Sequence, residues 1–467
     1  MNARVSDRPV GLEGHVIDAP EWGRLRSWPE GAVVIEAGRI AAVGAREDLR
    51  RDWPQAGWCA WAPGVRPVIM PGLVDAHAHV PQYPVVARRE SGLLPWLERH
   101  VFPTEARFRA GRDGLCGELE AFFAALTAHG TTTAMLYAAV WGDSCHLAFE
   151  AAERSGLRVF MGKVMMDVGS YGRARELPAA AARQLSIDET RTLIDAWHGR
   201  DGGRLEYVVS PRFALTCSMD LMREAAQLAA ARGCALQTHL SENREEIAAV
   251  AGRFPEARDY ADVYHRAGML TPRTVLGHCL HLSPAEMDTL AATGATVAHC
   301  PTSNLFLGSG LCPLDRLRRA GLRIGLGSDV AAGPELNLWQ VMRSAVETQQ
   351  VRRMHDDTVP DLTPAQAFYL ATQGGADVVG RGATLGILDP GREADVLVLD
   401  LNAVLPYGGR FAVETTPPSA EDIVALCVYR GGPAATVEAR VRGRVVTRSA
   451  ERGGTCAVDA PRDDGQF

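Results

Sequence analysis

His77 and His79 stand one residue apart in Met70-Pro71-Gly72-Leu73-Val74-Asp75-Ala76-His77-Ala78-His79. Positions 68–74 form a short apolar run that reads as one β-strand leading into them. On an extended backbone alternate side chains share a face, so both imidazoles point into the same space. Two rings so placed make half of a site for zinc or a similar transition metal. The plainer reading of such a pair is one ring buried and hydrogen-bonded, the other solvated. The metal reading therefore needs more ligands from elsewhere in the chain. His239, His278 and Asp329 supply them, because each follows a short apolar segment. Four imidazoles and one carboxylate, with a position left for water, are a donor set for a hydrolytic metal. Taken singly, each has an ordinary role: a lone histidine is usually a satisfied structural residue, and an Asp after Gly327-Ser328 is usually a helix N-cap. Their recurrence at corresponding positions of several strand units favours the metal. Glu242, three residues past His239 in Thr238-His239-Leu240-Ser241-Glu242-Asn243, can take a proton from the attacking water and return it, as general base and then general acid. The alternative for Glu242 is a favourable first-turn helix charge.

Side chains so far apart along the chain need a scaffold that collects strand ends. From Pro71 to about residue 375, short apolar strands alternate with helical stretches. The strands are predicted at 68–74, 132–136, 158–161, 205–209, 235–238, 274–277, 296–298 and 323–326. Helix-like segments such as 115–129, 219–232 and 284–292 fall between them. Eight β-then-α units predict an α/β fold, a (β/α)8 TIM barrel, whose chemistry lies at the C-terminal ends of its strands. An open doubly wound sheet is the alternative. Residues 1–69 look like strands and turns, with a Gly-centred hairpin over 32–44. Strand material returns at 395–400 and 437–442, with a further strand after the turn at Gly443. Each terminal region is short for a core of its own, so the two are expected to join in one small composite β-sandwich. The predicted organisation is 1–69 for the first part of that sandwich, 70–376 for the barrel, and 377–467 for the second part and a loosely held tail from about 449.

The 467 residues are 46% hydrophobic and 22% charged, an ordinary globular composition. A formal net charge of -7 argues against a nucleic-acid binder. No apolar run approaches the roughly 20 residues needed to span a bilayer, so no membrane partner is expected. Ten scattered cysteines, with no leader-like N-terminus, predict reduced thiols and a cytoplasmic protein rather than a disulfide framework. Lys163 is the only lysine.

The ligand set and the terminal strand regions resemble the amidohydrolase superfamily with its composite β-domain. More narrowly, the chain is similar to the guanine deaminases. That likeness runs from about residue 30 to 450. It is carried by Pro81-Gln82-Tyr83, Leu94-Pro95-Trp96-Leu97-Glu98, Phe102-Pro103-Thr104-Glu105, Gly162-Lys163-Val164-Met165-Met166-Asp167, Pro211-Arg212-Phe213, His239-Leu240-Ser241-Glu242-Asn243-Arg244 and His299-Cys300-Pro301-Thr302-Ser303-Asn304. The His-x-His and Gly-Ser-Asp elements mark the superfamily; the Gln82, Trp96 and Arg212 neighbourhoods are the ones shared with guanine deaminases.

The resemblance implies zinc on His77, His79, His239, His278 and Asp329, with His278 either binding metal or orienting substrate. Iron suits the same donors. One ion per subunit is implied, because Lys163, the only candidate for a carbamylated bridging lysine, lies in a motif guanine deaminases share without that use. The implied substrate is guanine, lying against His79, Gln82, Arg212, Phe213, His239, Glu242 and Asp329. Arg212 has donors only and suits the C6 carbonyl, while Gln82 offers both donor and acceptor for the same edge. Glu242, Asp329 and His278 are the implied catalytic groups, and similar proteins are commonly homodimers. The aromatic, Pro-rich insertion at 81–108 reads as a cover over the pocket mouth. The rival readings are a related aminohydrolase acting on an s-triazine, 8-oxoguanine, a pterin or an adenosine-like substrate, and a non-catalytic scaffold.

Overall fold

The computed structural model describes residues 8–109, 112–169, 171–409, 417–453 and 455. Eight parallel strands follow one another in chain order around a barrel: Leu73–His79, Thr131–Ala138, Arg158–Met165, Leu205–Pro211, Ala235–Leu240, Thr274–His278, Thr296–His299 and Ile324–Leu326. The last strand meets the first through two backbone hydrogen bonds, Asp329 N–H to the His77 carbonyl at 2.8 Å and His79 N–H to the Val330 carbonyl at 3.0 Å. Closure is therefore made by the residues predicted to hold the metal. The helices Arg112–Ala128, Met219–Arg232 and Pro284–Thr293 fall between strands where the hydrophobic pattern places them.

The first strand departs from its expected form in two ways. The apolar run 68–74 is not one strand: Pro67–Pro71 belongs to the small sheet and Leu73–His79 to the barrel. Gly72 between them has no room for a side chain, since a Cβ there would stand 2.0 Å from Thr132 Oγ1. Farther along, the ladder to the second strand carries an extra residue between Asp75 and Ala78. Before this bulge the even positions face inward, with Val74 and Ala76 packing on Met135, Phe160, Val208, Val275 and Ala298 in the barrel floor. Ala78 lies in the outer core beneath the helices, so after the bulge the odd positions face inward. A one-residue shift exchanges the faces of a strand, and here it turns both His77 and His79 toward the barrel mouth.

The terminal segments share a second sheet. Its path runs Arg444–Arg448, Thr436–Val441, Val396–Asp400, Pro67–Pro71, Val10–Glu21, Arg24–Glu36 and Arg39–Ala45, with Gly57–Trp58 beside Val10–Glu21. The two ends of the chain meet where Pro67–Pro71 pairs antiparallel with Val396–Asp400. Leu12, Val16, Val33, Ile69, Val396, Val398 and Val437 fill the core of this sheet, which neither segment could build alone. The predicted hairpins at 32–44 and after Gly443 are both present. Most of the expected tail lies outside the described residues. Among the described residues eight cysteines are free thiols and Cys59 is disulfide-bonded, one bridge where the sequence favoured reduced thiols over a disulfide framework. Among the described residues no helix is long and apolar enough to cross a membrane.

The insertion is a chain of short helical turns: Val80–Val85, Leu93–Trp96, Leu97–Val101, Phe102–Ala106 and Arg107–Arg109. It lies over the strand ends, and Gln82, Leu93, Trp96 and Leu97 line the cavity below it.

Candidate metal centre and substrate pocket

The five expected ligands converge. His77, His239, His278 and Asp329 each offer one donor atom within 4.8 Å of the others. His79 completes the group, its Nε2 lying 3.3 Å from Asp329 Oδ1 and 3.2 Å from His239 Nε2. His77 Nε2 is also 3.3 Å from Asp329 Oδ1. Donors arranged tetrahedrally around zinc at bond lengths near 2.0–2.1 Å stand about 3.4 Å apart, so these separations are those of ligands sharing one ion.

Second contacts set which nitrogens are available. His239 Nδ1–H donates to the Arg212 carbonyl at 2.7 Å, and His278 Nδ1–H donates to Asn304 Oδ1 at 3.0 Å. Each ring therefore presents the Nε2 lone pair to the centre, the usual way a neighbour fixes a ligating histidine. Nε2 of His77 and of His278 is buried and makes no hydrogen bond. Such orphaned acceptors are costly unless a cation satisfies them. Burial pushes the His79 imidazole down to about 4, and burial together with the other rings holds His239 well below the ordinary histidine range. Neutral imidazoles are the metal-binding form. The donor set thus fits a transition-metal ion.

The backbone at the strand ends is bent to deliver these groups. His278 and Asp329 have φ of 71° and 47°, a left-handed conformation that non-glycine residues hold mainly where surrounding structure imposes it. Asp75 ties the ends together: it accepts from His77 N–H at 3.2 Å, Ser328 N–H at 2.9 Å and Ser328 Oγ–H at 2.6 Å. Gly277, beside His278, makes room for the neighbouring ring, since a Cβ there would come 2.9 Å from His77 Cε1. Gly277→Ala is accordingly expected to push the His77 ring aside and weaken metal binding about tenfold, read by equilibrium dialysis. Asn304→Ala frees His278 Nδ1 and is expected to weaken metal binding by about 10- to 100-fold. Competition with a chelator measures it, and an unchanged affinity would remove Asn304 from the site.

Glu242 faces the same cavity. Its Oε2 is 3.4 Å from His278 Nε2, and Ser309 Oγ–H lies 3.4 Å from its Oε1. Glu242 is not a first-turn helix charge, since the helix begins only at Arg244. The helix Arg244–Arg253 is capped by Asn243 and Glu246, and Glu246 accepts the Glu242 N–H at 2.9 Å. The Glu242 carboxylate is left free for the pocket. Burial raises its proton affinity well above the ordinary glutamate value, with Asp329 and Glu246 adding to the effect. Burial alone would raise Asp329 too, but the His77, His79 and His278 rings beside it outweigh that and hold the carboxyl well below its ordinary value. Two nearby carboxyls pushed in opposite directions are the pattern of a stronger base beside a more acidic partner.

Away from the ligands, the cavity is closed by Leu93, Trp96, Leu97, Arg212 and Phe213, and its free space, open mouth included, is about 360 Å³. Arg212 and Glu105 are a buried pair, 3% and 0% exposed, with Arg212 Nη1 at 3.0 and 2.7 Å from the two Glu105 oxygens. The Arg212 guanidinium lies over the Phe102 ring, 5.1 Å from its centroid. Gln82 Nε2–H donates to Glu105 Oε1 at 2.9 Å, and Ala331 N–H reaches Gln82 Oε1 at 3.4 Å. Every residue expected from the sequence to bind substrate thus lines one cavity. Glu105 and Asn304 were quoted in motifs without a role, and Asp75 had none. Nothing local marks them, because the partners that matter, Arg212 for Glu105, His278 for Asn304 and Ser328 for Asp75, lie far along the chain. Lys163 is turned away, its Nζ bonded to Ser186 Oγ and Glu189 Oε2, both at 3.2 Å.

The sequence profile of the amidohydrolase family matches residues 68–434. The chain belongs to the amidohydrolase family. Residues 31–56 also match an imidazolonepropionase-like bacterial composite domain, in the second sheet. Among curated amidohydrolase relatives, the guanine deaminase of Escherichia coli K12 is 36% identical over 391 residues, 83% of this chain and 85% of that one. That of Mus musculus is 32% identical over 424 residues, 88% of this chain and 91% of that one. The solved guanine deaminase of C. acetobutylicum, with guanine in its active site, superposes with a TM-score of 0.85 at 26% identity, covering 94% of this chain and 100% of that one.

Proposed function

We propose that this amidohydrolase deaminates guanine, converting guanine and water to xanthine and ammonia. The observation that carries the reading is one cavity lined by two chemically different sets of groups. The metal donors His79, His239, His278 and Asp329 line it with Glu242, and so do the donor-rich Arg212 and Gln82. Arg212 has no acceptor and keeps its charge, so it suits a ring carbonyl. With the C6 oxygen of guanine held there, C2 and its exocyclic amine fall toward the metal ligands. One zinc ion per chain, held by His77, His79, His239 and Asp329, with His278 as a further ligand or a substrate contact, would supply a water whose pKa drops from about 15.7 toward 7.

Glu242 takes the proton of the attacking water and passes it to a purine ring nitrogen, making C2 more electrophilic. Asp329 accepts a hydrogen bond from the attacking oxygen and helps move the second proton to the departing amine. The C2–O bond forms, the C2–N bond breaks, and ammonia leaves. The cover formed by residues 80–109 keeps bulk water out while this happens. The reading also carries a cytoplasmic location and the homodimer implied by the resemblance, the latter checked by light scattering.

The test is purified, metal-loaded protein with guanine, followed by ultraviolet absorbance and ammonia release. Absence of turnover would overturn the reading. A panel of an s-triazine, 8-oxoguanine, a pterin and adenosine separates it from its nearest rivals, and full retention of tightly bound metal with no turnover on any of them would favour a scaffold.

A further inference from the structure

Glu105 carries no role in the reading above, yet it is the most thoroughly buried carboxylate at the substrate end of the cavity. It comes from the cover, in Phe102–Ala106, and joins two residues from different parts of the barrel mouth. We infer that Glu105 is a positioning residue that fixes the donor–acceptor order of the Gln82–Arg212 edge and so makes the pocket selective for a lactam, a ring carbonyl beside a ring N–H, over an amidine. The inference rests on the guanine reading and deepens it.

The argument begins with Gln82. A primary amide can turn end for end and exchange its donor and acceptor faces at little cost. Glu105 is ionised and only accepts, so the NH2 of Gln82 must face it, as the 2.9 Å contact records. The carbonyl of Gln82 is then forced toward the Ala331 N–H, 3.4 Å away. One N–H and one lone pair of Gln82 remain, on known sides. Arg212 is fixed by the same carboxylate, with Nη1 held by both Glu105 oxygens and the guanidinium plane resting on Phe102.

Arg212 cannot by itself tell a carbonyl oxygen from an unprotonated ring nitrogen, since both accept. What separates a lactam from an amidine is the order of donor and acceptor along the edge. A carbonyl beside N–H has one order, and an amine beside a bare nitrogen has the reverse. A glutamine free to turn reads both, whereas one pinned by Glu105 reads one. A purely charge-balancing Glu105 would carry no such discrimination.

Hypoxanthine and adenine differ only at this edge and lack the C2 amine, so both report on binding without chemistry. Their inhibition constants are measured against guanine turnover in wild type, E105Q and E105D. E105Q removes the charge and can donate. E105D keeps the charge, preserving the ion pair with Arg212, but is one methylene too short to reach Gln82 as well. The expected result is tighter inhibition of wild type by hypoxanthine than by adenine, with that ratio falling at least tenfold in both variants and bound metal unchanged. If E105Q does not fold, E105D decides. Equal inhibition of wild type by both purines, a parallel loss for both, or an unchanged ratio in E105D overturns the inference. Should wild type fail to turn over guanine at all, the functional reading falls and this inference with it; turnover with a constant ratio rejects the role of Glu105 alone.

Discussion

Glu242→Gln is expected to lower kcat on guanine by about 10²- to 10⁴-fold, the range lost when a positioned proton carrier is removed, while metal content stays at the wild-type level. The reason for separating the two readouts lies in the geometry. Glu242 Oε2 approaches His278 Nε2 at 3.4 Å, but the tight group of donors is formed by His77, His239, His278 and Asp329. Glutamine has nearly the same shape, and the neighbouring helix keeps its cap because Asn243 and Glu246 supply it. What glutamine cannot do is accept a proton and release it again. The raised proton affinity of Glu242 matters here. A carboxylate at its ordinary value would be a poor base and would hold the proton too weakly to deliver it to a ring nitrogen. Asp329, held down by the histidine rings beside it, is the weaker base of the two and is the poorer choice for taking the first proton. Elemental analysis gives the metal per chain, and a steady-state assay gives kcat. A kcat within tenfold of wild type in a metal-replete variant would remove Glu242 from the proton path.

The parts legible in the sequence share one property: their signal is local. Barrel strands are buried on both faces, so each reads as a short apolar run, and the structure extends the predicted runs mostly at their C-terminal ends, where the ligands sit. His77 and His79 are legible because an alternating pair is a local pattern. The ligand group follows once strand ends are compared. The split at Gly72 is invisible because the apolar character runs straight through it; only the approach of Thr132, 60 positions away, forces the change. The bulge after Asp75 is hidden for the same reason, since it is a property of the ladder with Thr131–Ala138. Glu105 shows the limit most clearly. Its partner Arg212 lies 107 residues farther on, and an isolated glutamate in a helical stretch looks like any solvated charge. The quoted Phe102-Pro103-Thr104-Glu105 motif marked the place without saying what the carboxylate does there.

Arg212→Ala should cost catalysis on guanine more than any other single change outside the ligands, on the order of 10⁴-fold in kcat/KM, the scale of losing a buried polar partner to a substrate carbonyl. Two features make the variant informative. The metal group should survive, because His239 is held by the main-chain carbonyl of residue 212 rather than by its side chain, and an alanine keeps that carbonyl. The fold should suffer, because Glu105 is left buried with its charge unpaired. Breaking a buried pair from one side typically costs about 3–5 kcal/mol, offset here in part by the Gln82 contact to Glu105. The double variant R212A/E105Q removes both charges and is expected to regain most of that stability while gaining nothing in activity on guanine. R212K separates charge from shape: it restores a cation without the planar fork and should recover stability more than rate. Urea unfolding of the metal-loaded proteins measures the first quantity and steady-state kinetics the second. If R212A/E105Q recovered guanine turnover along with stability, the loss in R212A would be one of folding, and Arg212 would not meet the substrate carbonyl. If stability returns and turnover does not, the side chain acts on the substrate.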